Sequence, residues 1–100
     1  MGNTDKYVRL TQVFVNGHAQ DMAKLVASLA ADDQANARRL VHTLHGVAAT
    51  LGAQGIASAA RLLEGALRAD PSGRQMLAEL APEMQSIDAA FQALAAALSG

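Results

Sequence analysis

Leu77, Leu80, Met84, Ile87, Phe91, Leu94 and Leu98 recur at alternating steps of three and four residues. Steps of that size return a side chain to the same side of an α-helix, which advances about 100° per residue. The spacing predicts a helix over 74–98 with one long apolar seam, the form of a helix packed in a bundle. Pro82 falls on the opposite, solvent side. It removes one backbone bond, to Ala78, and so predicts a gentle kink and no end to the helix. Three earlier stretches read the same way. Over 4–30, Tyr7, Leu10, Phe14, Leu25 and Leu29 share a face, with Asn16-Gly17 predicting a bend or local weakness and no full break. His18 lies on that face and reads as a boundary residue with a satisfied ring nitrogen. Over 33–52, Ala37, Leu40, Leu44, Val47, Ala48 and Leu51 form the core stripe. Asp33 is the expected N-cap and Gly52 the expected left-handed C-terminal cap. Over 54–69, Ile56, Ala60, Leu63 and Leu67 point inward, and Arg61, Gly65 and Arg68 outward. Asp70-Pro71-Ser72-Gly73 is the clearest turn in the chain. Four amphipathic helices with short connections predict an all-α fold, an antiparallel up-down-up-down four-helix bundle, with residues 1–100 as a single domain.

Composition agrees. Hydrophobic residues make up 51% of the chain and aromatics 3%, so the core is aliphatic and alanine-rich, as closely packed helices require. The absence of cysteine excludes disulfide and zinc–thiolate frameworks. A net charge of −1 without a basic run makes duplex nucleic acid an unsuitable partner. No apolar run approaches the roughly 20 residues needed to cross a bilayer, and no signal peptide is evident. Met1-Gly2 is not a myristoylation site by pattern, because Lys6 stands where Ser or Thr is wanted. These readings point to a cytoplasmic domain without direct membrane insertion.

One helix face carries the chemistry. His42 points almost directly away from the 33–52 core stripe. Its outer-face neighbours are Gly46, Ala49 and, beyond them, Ala53, where a solvated face would carry Glu, Lys and Gln. Arg38 and Arg39 lie one turn earlier and His45 three residues on. A flat patch with one projecting imidazole and a basic fringe suits a partner that must come close to that imidazole. A neutral imidazole is a good nucleophile near pH 7 and needs no base to activate it. It can attack a phosphoryl group presented in line. The chain has no P-loop, no kinase glycine loop and no constellation of acids for Mg²⁺, so a partner must supply the rest.

His42-Thr43-Leu44-His45-Gly46, then Ala48-Ala49-Thr50-Leu51-Gly52-Ala53, then Ala60-Arg61-Leu62-Leu63-Glu64, resembles the histidine phosphotransfer (HPt) domains of bacterial multistep phosphorelays. That family's pattern is an HxLKG core, small residues with a Leu-Gly-Ala, and an A-x-x-L-E in the next helix. The resemblance runs from about Tyr7 to the end of the third helix. It implies that His42 is the phosphoacceptor, taking a phosphoryl group from a receiver-domain aspartate and passing it to a response-regulator receiver. It implies docking of the receiver over Gly46, Ala49 and Ala53, and Mg²⁺ held by the receiver, with no cofactor or metal of the chain's own. The domain is then a phosphotransfer intermediate and not a kinase, and a monomer when isolated. HPt domains often begin with a further short helix, so the chain looks like a domain trimmed from a larger protein, such as a hybrid sensor kinase at the inner membrane.

The chain departs from the pattern at His45, where a lysine usually balances the phosphoryl charge. A neutral imidazole donates one hydrogen bond and carries no charge. Phosphorylation of His42 is expected to favour protonated His45, giving a phosphorylated form whose stability or transfer rate depends on pH between about 6 and 8. Arg38 and Arg39 are candidate steering charges beside the phosphoryl group. The alternative is a helical-bundle interaction or oligomerisation module. A metal site from His42, His45 and His18 is the weaker reading, because no carboxylate stands one turn away on the same face.

Overall fold

A computed structural model of the chain describes residues 3–99. Met1-Gly2, read above for its modification pattern, lies outside the described residues. Among those residues the regular structure is helical throughout: α1 (Asn3–His18), α2 (Asp21–Ala30), α3 (Gln34–Thr50), α4 (Gln54–Ala69), α5 (Arg74–Glu79) and α6 (Ala81–Ser99). The fold is all-α, and two of the expected helices are each divided in two.

The first division falls after α1. The chain leaves helical geometry at Gln20 (φ −100°, ψ 9°), and α2 starts afresh with Lys24 N–H donating to the Gln20 carbonyl. The expected continuous helix over 4–30 is therefore corrected. Asn16-Gly17 stays within α1, and the break comes at Ala19-Gln20. Local side chains hold the new joint: His18 Nδ1 lies 2.7 Å from Asp21 Oδ2, which is buried in the first turn of α2. The shared face is corrected as well. Phe14 and Leu25 are buried, but Tyr7 and Leu10 are exposed.

The second division replaces the expected kink at Pro82. Leu80 (φ −113°, ψ 22°) ends α5, and Pro82 is the second residue of α6. A proline disfavours helical geometry in the chain before it and removes the bond that would have tied α6 back to α5. Pro82 is exposed, as expected. The break also turns the seam: Met76 is fully buried and Leu77 exposed, while Ile87 and Phe91 remain in the core.

The helix ends follow local chemistry. Asp33 caps α3 by accepting from the Asn36 amide at 3.2 Å. Both α2 and α3 finish with the double bond of a Schellman cap. At α3, Gly52 (φ 76°) donates to the Ala49 carbonyl and Ala53 to that of Ala48. At α2, Asp32 (φ 58°) and Asp33 donate to Leu29 and Ser28. Asp70 closes the next turn by accepting from Ser72 and the Gln75 amide.

α3 lies between α2 and α4 and packs most extensively on α4; α4 and α1 both rest on α6. This placement recentres the α3 stripe. Ala37, Val41, Leu44 and Ala48 are fully buried, whereas Leu40, Val47 and Leu51 are half-buried. The core is closed by Leu25, Leu63, Leu67, Met76 and Ile87, with the Phe14 and Phe91 rings 5.0 Å apart. Burying each such side chain contributes roughly 1.5–3 kcal/mol. α4 matches its expected bounds, with Ile56, Ala60, Leu63 and Leu67 all buried. No described helix is long and apolar enough to cross a membrane.

Candidate functional site

With α3 fixed by Val41 and Leu44 in the core, His42 projects outward, its side chain 76% exposed. His45 stands one turn on along the same side of the helix and is set in against the bundle, its side chain 32% exposed. Neither imidazole is alone. Glu64 reaches across from α4 and meets both: Oε2 lies 2.6 Å from His42 Nδ1, and Oε1 lies 2.8 Å from His45 Nδ1. The Glu64 side chain is only 18% exposed.

The carboxyl of Glu64 is held below its ordinary range. The hydrogen bond from His42 is the largest cause; burial pushes the other way, and the bond from His45 adds to the lowering. An ionised carboxylate only accepts, so each imidazole donates from Nδ1. A neutral ring with its proton on Nδ1 keeps its lone pair on Nε2. For His42 this is the nitrogen with no protein partner among the described residues. The site therefore presents an oriented nucleophile at the surface, backed by a fixed negative charge.

The surroundings of His42 differ on its two sides. On one side a hollow of about 360 Å³ is lined by Arg38 and Arg39 of α3 and by Glu64 and Arg68 of α4. Arg39 is committed, its Nη2 donating to Asn36 Oδ1 at 2.6 Å. Asn36 in turn donates to Ser28 of α2. On the other side an open, mainly apolar groove of about 640 Å³ runs between α1 and α3, past Leu10, Val13, Gly17, Thr43, Gly46 and Thr50. Gly46 is exposed, with nothing within 4 Å of where a Cβ would stand. Ala49 is exposed beside it. Ala53, expected on this bare face, is instead half-buried at the N-cap of α4 and packs on the core.

The structure thus gathers His42, His45, Arg38 and Arg39, and keeps His18 apart. That ring pairs with Asp21 and lies 5.6 Å from the Phe14 ring, at the far wall of the apolar groove. Two residues of the site escape a reading confined to one helix: Glu64 and Arg68, both on α4. A signal for Glu64 was present. In a hairpin folded at Ala53, residues equally far on either side face each other, and eleven positions before and after it stand His42 and Glu64. The carboxylate missing from the α3 face comes from α4.

The sequence model of a family described as the Hpt domain matches residues 9–98. Comparison with curated proteins and with solved structures gives no match.

Proposed function

The chain belongs to the Hpt domain family, whose members carry phosphoryl groups on histidine in phosphorelays, and on that premise we propose that His42 is its phosphoacceptor, charged by one receiver domain and discharged to another. The observation that carries this reading is the exposed His42 ring with Nδ1 anchored on Glu64 at 2.6 Å. The Nε2 lone pair attacks the phosphorus of a receiver's aspartyl phosphate in line. The P–O bond to the aspartate breaks and returns its carboxylate, and a P–N bond forms at Nε2. The Nδ1 proton stays where it is, so the ring gains positive charge as the bond forms, and the Glu64 carboxylate stabilises that charge. Arg38 and Arg68, facing the hollow beside the ring, offset the negative charge of the transferred group. The receiver holds the Mg²⁺; no metal or cofactor is assigned to this chain.

The receiver settles over Gly46 and Ala49, where the open face lets its phosphorylated aspartate approach the ring. We read α1 with α2, α3, α4, and α5 with α6 as the four antiparallel rods of a four-helix bundle. A cytoplasmic place, within or beside a bacterial hybrid sensor kinase, fits such a relay.

The test is transfer from phosphorylated receivers in the presence of Mg²⁺. The expected product is an acid-labile, base-stable label on the intact chain that disappears in His42→Gln and survives in His18→Gln. A label that persists without the His42 ring overturns the assignment.

A further inference from the structure

We propose that His45 is a positioning residue for His42 and acts through Glu64. This rests on the phosphotransfer reading, but its geometry is independent of it. The two imidazoles engage one carboxylate, each through Nδ1 and each on its own oxygen. They differ in how firmly they are held. The His45 ring is largely covered by the bundle, whereas the His42 ring stands in solvent. The fixed end of the chain of bonds is therefore His45, and the free end is His42.

A glutamate has three side-chain torsions, and one hydrogen bond does not settle them. With His45 holding Oε1, the Glu64 carboxylate can rotate no further, and Oε2 is presented to His42. Without that grip two outcomes compete. Glu64 can turn into the hollow it already lines, where Arg38 and Arg68 offer a stronger, charged pairing. Or it can keep only the His42 contact, through a bond that then swings with the exposed ring. In the first case the His42 ring loses the constraint that keeps its proton on Nδ1 and its lone pair on Nε2; in the second that constraint is weakened and the ring loses its fixed orientation.

The residue type matters as well. A neutral imidazole donor leaves the carboxylate its full charge. An ammonium at position 45 would pair with Glu64 and weaken its pull on the His42 proton. So the imidazole that stands where the resembling family carries lysine supports the acceptor from behind, by way of α4, with its Nδ1 turned to Glu64.

The experiment uses the intact chain and its His45→Gln and His45→Asn variants. Long-range ¹H–¹⁵N spectra of the rings report the His42 tautomer, and transfer from a phosphorylated receiver reports the rate. Asparagine carries an N–H close to the place of imidazole Nδ1, while glutamine carries its own one bond further out. The wild type is expected to hold His42 mainly as the Nδ1–H form. His45→Gln is expected to move the population toward Nε2–H and to slow transfer about threefold to tenfold, below the loss typical of removing a metal ligand's outer partner. His45→Asn restores both within about twofold.

A His42 tautomer and a transfer rate unchanged in His45→Gln overturn the inference. So does equal loss in both variants, which would mean that only the ring's packing mattered. If the tautomer follows this pattern while no receiver labels even the wild type, the positioning role of His45 stands and the phosphotransfer reading fails. If His45→Gln does not fold, an Nδ1–H His42 in His45→Asn supports the inference and an Nε2–H His42 overturns it.

Discussion

Glu64 meets both histidines, and its own state is open to measurement. Its carboxyl is held down, first by the His42 hydrogen bond. For a carboxyl whose pKa is lower in the folded than in the unfolded chain, the stabilisation is complete above the ordinary value, here 4.5, and disappears as the pH falls through the lowered one. Asp70 acts in the same direction, held down first by the Ser72 hydroxyl and then by the Gln75 amide. Urea unfolding of the wild type and of Glu64→Gln is therefore expected to differ at neutral pH, and the gap to close as the pH drops from about 5 toward 3. A gap that widened on acidification would contradict the assigned donor and acceptor roles. The same substitution is expected to slow transfer by tenfold or more, roughly the effect of losing an orienting partner behind a reactive imidazole. Of these residues, His42 and His45 were legible because a single helix sets them on one side. Glu64 is legible as the end of the A-x-x-L-E motif, but its contact with the two histidines depends on how α4 lies against α3.

At the scale of the elements, local signals were read well at turns and caps and less well inside long helices. Asp33 and Asp70 act through side-chain bonds to residues two to five positions on, and Gly52 through its own left-handed backbone, so each is set by a few residues of sequence. The two breaks, at Ala19-Gln20 and Leu80, interrupt stretches whose apolar spacing is continuous. Periodicity shows which face is apolar, and it does not show where packing rewards a change of direction. Gly73 offers a test at this scale. Its φ is 79°, and a Cβ placed on it would stand 2.5 Å from Leu29 Cδ1. Gly73→Ala thus meets both a left-handed backbone and a clash with the end of α2, and is expected to cost about 1–3 kcal/mol in thermal or urea unfolding. A loss under about half a kcal/mol would mean that Leu29 yields and that the turn tolerates side chains.

For the molecule as a whole, the proposed docking sets stability and partner access in opposite directions on one surface. Gly46 lies in mid-helix, faces open space, and weakens α3 by roughly 1 kcal/mol against alanine. Gly46→Ala is expected to raise the melting temperature, and Gly46→Gln to keep the fold while transfer from a receiver falls at least tenfold. Equal transfer in all three would show that the partner does not come close there. The apolar groove between α1 and α3 and the exposed Val13 and Leu10 on its wall extend that surface past the ring. Composition and periodicity indicated the all-helical class. They did not show that α1 would leave Tyr7 and Leu10 uncovered, since that follows from α1 leaning chiefly on α6.

Both interruptions of the chain fall outside α3 and α4, the pair that carries His42, His45 and Glu64. In deuterated water, amides of the first and last segments, which end at such interruptions, are expected to exchange through small local openings. Those of Val41, Leu44, Ala60 and Leu63 would wait for the molecule to come apart as a whole. The histidines would then keep their mutual geometry through fluctuations that loosen the rest of the domain.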